Sequence, residues 1–365
     1  MPAPRVGRPD RAGLIRWPRD GRRKEFAQRD HETAGGKARR VRGLQDTHRL
    51  GIVLALASGA LWGAAAVALG EALTRRPLAA TGALFAAPLA AAALHDCFAF
   101  VWVTVANGAA RRLGPALRVL HSRDGLVVCL AALVGGPLAM STYLLAIAWA
   151  GAPYAVAISA LYPALGAALG FVVLRDRLGA AGWCGVALAV AGAVLPTYAP
   201  AGGASPHYAL GALCALTSAA GWAVEGVLVA RSLARLPLLA ALNIREAVSG
   251  AVFLVLVLPL FAATGVAART VASPVILLLV AASLCGAGAY LAYYRSLDLL
   301  GPARAMPANS TYVLWTIALS LTVSGHAPSL RLALGGLVVV AGITLVAADG
   351  GRGLARSANA ETSQG

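Results

Sequence analysis

The sequence predicts an all-α integral membrane protein with ten transmembrane helices arranged as two inverted five-helix repeats. Three observations carry that expectation: apolar runs long enough to cross a bilayer, a pattern that recurs at a nearly fixed offset, and an odd number of runs in each copy. Of the 365 residues, 59% are hydrophobic and only 13% charged, whereas a soluble globular domain carries about 25% charged residues. Runs of roughly 20 apolar residues span a hydrocarbon core about 30 Å thick. At that depth the backbone must satisfy its own polar groups, and a helix does so within one segment.

Taken in order, residues 1–49 form a basic stretch with 14 Lys+Arg against 6 Asp+Glu. It has no helical stripe and little to bury, which predicts a disordered cytoplasmic tail. Such a tail could also adhere to anionic lipid heads; it does not have the form of a secretory signal. The first repeat, 50–197, holds apolar segments at 50–71, 78–105, 125–148, 153–174 and 180–197. The second, 208–348, holds segments at 208–230, 237–262, 273–296, 302–324 and 330–348, and a short cytoplasmic tail, 349–365, follows. With the N-terminus inside, the inner loops and C-terminal tail carry ten arginines, among them Arg111, Arg123 and Arg231. The outer loops carry four: Arg75, Arg76, Arg269 and Arg331. The positive-inside rule then places both termini in the cytoplasm, and the expected location is the cytoplasmic (inner) membrane.

The repeat is read directly. "LGIVLALASGALWG" (50–63) aligns with "LGALCALTSAAGWA" (210–223), pairing Ser58 with Ser218 and Trp62 with Trp222. Farther along, an offset of 150 pairs Gly136 with Gly286, Tyr143 with Tyr293, Tyr162 with Tyr312, Gly185 with Gly335 and Gly192 with Gly342. Alanine-rich composition would match alanines, but it would not match Trp, Tyr and Gly in register. Five helices per copy turn the second copy upside down. Inverted halves are a recurring architecture of secondary transporters, with the site near the midplane between them.

The stretch Tyr143 to Leu195, "YLLAIAWAGAPYAVAISALYPALGAALGFVVLRDRLGAAGWCGVALAVAGAVL", resembles the drug/metabolite transporter superfamily, specifically its EamA-like ten-helix members. It has a Tyr with small residues, a short turn, a mid-helix Pro163, an acidic turn at Asp176 and a Gly-spaced final helix. The second copy matches more loosely, with Val313 opposite Pro163 and His326 opposite Asp176. The resemblance covers about 50–348 and implies a transporter, while leaving its substrate open. The superfamily carries amino acids, nucleosides, drugs and sugar derivatives on one scaffold.

Ionisable groups at membrane depth are expensive and face a cavity or a partner. Glu225, in "SAAGWAVEGVL", stands opposite Ala65 in the first copy, so the repeat itself does not demand a carboxylate there. It is either a translocation carboxylate, with Trp222 one turn earlier as an aromatic wall, or a structural partner of Arg245. Arg245 and Glu246 are adjacent on the seventh segment, about 100° apart around the axis. An Arg245–Glu225 pair would therefore leave Glu246 free for a proton or for substrate. Asn243 shares a face with Glu246. Tyr143, Tyr293, Asn309 and Tyr312 are the further cavity candidates, on segments three, eight and nine. His95 and Asp96 read as surface or capping residues, and Gly59/Gly63 and Gly166/Gly170 as places of close helix approach.

The expected function is secondary active transport, export of a small metabolite or drug-like solute by proton-coupled alternating access. The alternatives are a passive facilitator, a lipid-linked sugar flippase, or a non-transporting sensor or scaffold. No G-x-x-x-x-G-K-[ST] and no H-E-x-x-H occurs, so neither ATP hydrolysis nor zinc peptidase chemistry is expected. No cofactor, metal or catalytic residue is assigned, and the five cysteines imply no disulfide framework. The partners expected are a small-molecule substrate, protons and the lipid bilayer, with no nucleic acid; a homodimer is left open.

Overall fold

The computed structural model describes residues 34–80, 84–111, 119–166, 169, 179–195, 206–300, 302–324 and 329–362. Residues 1–33, Gly170, Asp176 and His326 lie outside them, and so do the expectations that fall there. Among the described residues all regular structure is helical. Helix α1 (Ala34–Leu73) begins well before the apolar run, where the sequence reading places tail as far as residue 49. Lys, Ala, Arg, Leu and Gln between them are good helix formers, and a helix nucleated by the apolar run extends at little further cost. The compact unit that holds the candidate site starts at Thr47.

A 3-10 turn, Leu78–Ala80, precedes α2 (Ala86–Ala109). Then come α3 (Arg123–Ala150), α4 (Ala152–Gly166), α5 (Ala180–Val194), α6 (Tyr208–Leu233) and α7 (Leu238–Leu260). A short helix, Thr264–Val271, leads to α8 (Ile276–Leu300), α9 (302–324) and α10 (Leu330–Thr362). Among the described residues six helices are long and apolar enough to cross a membrane: Asp46–Leu73 within α1, and α2, α3, α6, α7 and α8. The other expected segments contain shorter apolar helices, Ala152–Gly166, Ala180–Gly192, Tyr312–Val323 and Leu330–Leu345. Large apolar side chains such as Val255, Leu277 and Leu330 stand exposed. In water that surface would drive association; in a bilayer it is solvated.

Among the described residues four helices are irregular: α7 has a π turn at Phe253–Val257, and in α3, α4 and α9 a local reason can be named. In α3 the turn Val134–Leu138 is a π turn containing Pro137. Proline has no N–H to return to the carbonyl four residues back, and the helix widens there by one residue. Helix α4 breaks at 160–161, just before Pro163, with Leu161 N–H bonded back to Ile158 O at 3.2 Å. Helix α9 breaks at 310–311 without a proline at position 313. Ser310 Oγ donates to Met306 O at 3.1 Å and Thr311 Oγ1 to Ala308 O at 2.9 Å. Side-chain bonds of this kind compete with the helical ladder. Different residues thus interrupt the two helices at positions 150 apart in the chain.

Glycines set the closest approaches. A Cβ built at Gly192 of α5 would lie 2.7 Å from Gly335 O, and one at Gly342 of α10 would lie 2.6 Å from Gly185 O. Both distances are inside any real carbon–oxygen contact, so α5 and α10 cross backbone against backbone, as small residues permit in lipid. On α1, a Cβ at Gly59 would lie 2.8 Å from Asn309 O and one at Gly63 2.7 Å from Trp315 Cβ. This seats α1 against α9 and brings Trp62 inward.

Gly192→Leu or Gly342→Leu should therefore destabilise the protein by about 1–3 kcal/mol through overpacking. Thermal unfolding in detergent checks this, with Val190→Leu, on the exposed side of α5, as the variant expected to leave the midpoint unchanged.

Candidate functional site

Arg245, on α7, is 1% exposed and draws carboxylates from three helices together. Its Nε donates to Glu225 Oε1 on α6 at 3.0 Å, and Nη1 donates to Glu246 Oε2 at 2.8 Å and to Asp96 Oδ2 on α2 at 3.3 Å. Nη2 donates to Tyr290 OH on α8 at 2.8 Å, and Cζ lies 4.5 Å from the Tyr290 ring centre. Only a guanidinium presents five N–H donors in one planar fork. Asp96 is held further by Ser249 Oγ, which donates at 2.5 Å, and by His95 Nδ1 at 2.9 Å. Two buried atoms at the edge of this network, Glu246 Oε1 and His95 Nε2, have no hydrogen-bond partner.

The π turn of α3 lets the backbone come close enough to meet this cluster. Ala139 N–H, which in a regular α-helix would bond Gly135 O, bonds Val134 O and Gly136 O instead. Trp222 Nε1–H of α6 donates to Gly135 O at 3.2 Å. A Cβ at Gly135 would collide with the Glu225 carboxylate, and one at Gly136 with the Ser249 hydroxyl. Gly286, the repeat partner of Gly136, gives the same kind of room on α8, where a Cβ would lie 2.6 Å from His95 Nε2.

Glu225 is where the network meets a cavity lined on several sides by aromatic rings. Trp62 of α1, Tyr143 of α3 and Trp222 of α6 form one part of its wall. Their rings are close: Tyr143 to Trp222 4.9 Å and Trp62 to Trp222 6.2 Å between centres. Tyr290, Tyr293 and Tyr294 line the α8 side, since spacing of i, i+3 and i+4 puts them on one helix face. The broken helices α4 and α9 complete it with Tyr162, Tyr312 and Asn309. Their polar groups cross-link the breaks: Asn309 Nδ2 donates to Tyr162 OH at 2.8 Å, and Ser159 Oγ and Tyr312 OH lie 3.3 Å apart.

Of the residues expected from sequence, Glu225, Trp222, Tyr143, Tyr293, Asn309 and Tyr312 line the cavity, and Arg245 and Glu246 stand behind it. Three expectations are corrected. Glu246 is not left free: the flexible arm of Arg245 spans the angle between neighbouring positions and reaches its carboxylate. His95 and Asp96 are each 1% exposed inside the network rather than at a surface. Burial follows from helix α2 packing that face on α7, where Asp96 meets Arg245. Asn243 does share a face towards α2, but it donates to Thr104 Oγ1 at 2.8 Å. Thr104 is two turns beyond Asp96, about 12 Å along the axis, so Asn243 does not reach the cavity. The lining residues missed were Trp62, Tyr162, Gly226, Tyr290 and Tyr294. The repeat pairs Trp62 with Trp222 and Tyr162 with Tyr312, so two of the five were already visible in register.

An apolar outer surface around an aromatic cavity with a carboxylate in its wall defines a polytopic membrane protein. The chain belongs to the EamA-like transporter family, whose model it matches twice, over residues 49–198 and 209–348. Members of that family are transporters rather than enzymes. The chain is 27% identical over 190 residues to Protein LicB of Haemophilus influenzae (strain ATCC 51907 / DSM 11121 / KW20 / Rd). That match spans 52% of this chain and 64% of the LicB protein. A solved structure described only as the crystal structure of a protein is alike in fold. It has a TM-score of 0.55 at 21% identity, covering 81% of this chain and 95% of its own.

Removing the guanidinium should strand three buried carboxylates. Arg245→Ala is expected to cost about 3–5 kcal/mol, read as a collapse of the thermal unfolding midpoint or loss of monodisperse protein. Arg245→Lys should recover little of it, because one ammonium cannot replace the fork.

Proposed function

We propose that the chain is a secondary active transporter that exports a small solute through this cavity by proton-coupled alternating access. In this reading ten spans form two inverted five-helix halves in the cytoplasmic membrane, with both termini inside. The observation that carries it is the contact, at Glu225, between an aromatic cavity and a buried network in which three carboxylates face one guanidinium. Unpaired buried charge is unfavourable, so a proton, or a positive charge on the solute, completes the cluster. Cavity occupancy and protonation are then linked, which is the minimum a coupled carrier requires.

The inverted architecture is supported by contacts that recur in pairs. Gly192 meets Gly335 while Gly342 meets Gly185, and Tyr162 meets Asn309 while Tyr312 meets Ser159. In each case the second contact is the first with its two positions exchanged at the offset of 150. Broken helices beside a central cavity suit a carrier, because the break supplies both polar groups and a hinge. The arginine distribution supports the orientation.

The test is flux in proteoliposomes under an imposed pH gradient, with candidate solutes first screened by ligand-induced thermal shift on purified protein. Gradient-driven flux is expected from the natural protein, and Glu225→Gln or Glu246→Gln should remove the dependence on the gradient. Full gradient-driven transport by both variants would falsify proton coupling through these carboxylates. Flux indifferent to the gradient would instead mark a facilitator.

A further inference from the structure

Three carboxylates, Asp96, Glu225 and Glu246, face one guanidinium in the network around Arg245. A proton on one carboxyl group still leaves a negative charge uncovered, and His95 stands where it can be met. Asp96 accepts from Arg245, Ser249 and His95. An ionised carboxylate can only accept, so His95 Nδ1 carries the hydrogen and Nε2 the lone pair. Nε2 belongs to a side chain 1% exposed and has no hydrogen-bond partner. It is packed on α8. A Cβ at Gly286 would lie 2.6 Å from Nε2 and 2.9 Å from Cε1, which leaves no room for a water between ring and helix. Gly136 of α3, the repeat partner of Gly286, flanks the other end of the pair, where a Cβ would lie 3.4 Å from Asp96 Oδ2. The imidazole is stacked on Trp62, with ring centres 6.3 Å apart and planes at 25°. The His95–Asp96 pair is thus held between two helices that the repeat makes equivalent, and α2 and α8 belong to different repeats.

We infer that His95 is a second proton site of the network, loaded at Nε2 only while α2 and α8 stand apart. This rests on the transport reading, in which the two halves move against each other. A proton from the aqueous side bonds to the Nε2 lone pair and no group leaves. The imidazolium stays on Asp96 and offsets the remaining charge. When the halves close, the backbone at Gly286 covers Nε2 and the proton is held, as a coupled carrier requires. The titratable and charged groups around His95 are Asp96 and Cys97 of α2, Arg245 and Glu246 of α7, Glu225 of α6 and Tyr290 of α8. Trp62 of α1 and Gly136 of α3 bring no charge, and Cys97 is turned to Gly250 O. Arg245 opposes a second cation, but it sits on Asp96 Oδ2 while His95 sits on Oδ1, and the carboxylates outnumber it. Nε2 lacks a partner with or without the proton, so the charge of the network decides between the two states.

Hydrogen–deuterium exchange at the imidazole Cε1, read residue by residue by mass spectrometry on the purified full-length protein, tests both parts. Exchange at this carbon passes through the imidazolium, so its rate against pH follows protonation, and the ring must reach water for it to occur. His95 should give a sigmoidal rate profile over the pH range in which the protein stays folded. Its rates should be roughly tenfold or more below those of the exposed His48 and His121, as for an opening populated a tenth of the time or less. A profile flat in pH, no exchange at all, or rates equal to those of the exposed histidines would overturn the inference. His95→Asn, whose side-chain N–H can still serve Asp96, should take up about one proton fewer per chain on a pH jump followed with an indicator dye. Uptake equal to that of the natural protein would also overturn it, and the exchange measurement stands without the variant. Failure of the transport reading looks different. Slow, pH-dependent exchange at His95 without gradient-driven flux sinks transport and keeps the proton site, whereas gradient-driven flux with a His95 that never exchanges does the reverse.

Discussion

One guanidinium holds the centre of this molecule together. Arg245 is the point at which α2, α6, α7 and α8 are tied, through Asp96, Glu225, Glu246 and Tyr290. Hydrophobic attraction between helices is weak in lipid, so packing and polar contacts must supply the association. A buried ionic cluster is a poor source of net stability compared with apolar packing. Its value here is placement. It fixes Glu225, the one cavity-facing carboxylate among the described residues, with one oxygen on Arg245 and the other 3.5 Å from the Tyr290 hydroxyl.

The rest of the architecture gives that cluster room. Gly135 and Gly136 in the π turn of α3, and Gly286 on α8, vacate the volumes that Glu225, Ser249 and His95 occupy. Paired glycines on α5 and α10 close the far crossing, and Gly59 and Gly63 admit α9 against α1. The breaks in α4 and α9 then turn Tyr162, Tyr312 and Asn309 into the cavity, where continuous helices would present a different face. Local backbone irregularity and the aromatic box are two aspects of one design, with small residues wherever the chemistry needs space.

Much of this was legible in the sequence because its signals are periodic or costly. Apolar runs of fixed length announce membrane helices, and Trp and Tyr in register expose the repeat. A lone Glu225 in an apolar run stands out because such a residue needs a reason. What escaped was tertiary. Adjacency on one helix suggested that Arg245 could not neutralise Glu246, yet side-chain reach overrides backbone angle. His95 and Asp96 read as surface residues because nothing local says which helix will cover them; α7 does. Asn243 was given the right face but the wrong depth. Tyr290 and Tyr294 sit one turn apart in "YLAYYRS" and were readable as a stripe, but a tyrosine stripe alone does not distinguish a cavity wall from a membrane interface.

The central claim is that a cluster of three carboxylates and one guanidinium holds an exchangeable proton next to the cavity. Infrared difference spectroscopy of the reconstituted protein on a pH jump addresses it directly, through the C=O stretch of a protonated carboxyl group. The expected result is one such band that disappears as pH rises and is missing from Glu225→Gln or Glu246→Gln. A spectrum with no protonated carboxyl band at any pH at which the protein stays folded, or one unchanged in both variants, would contradict it.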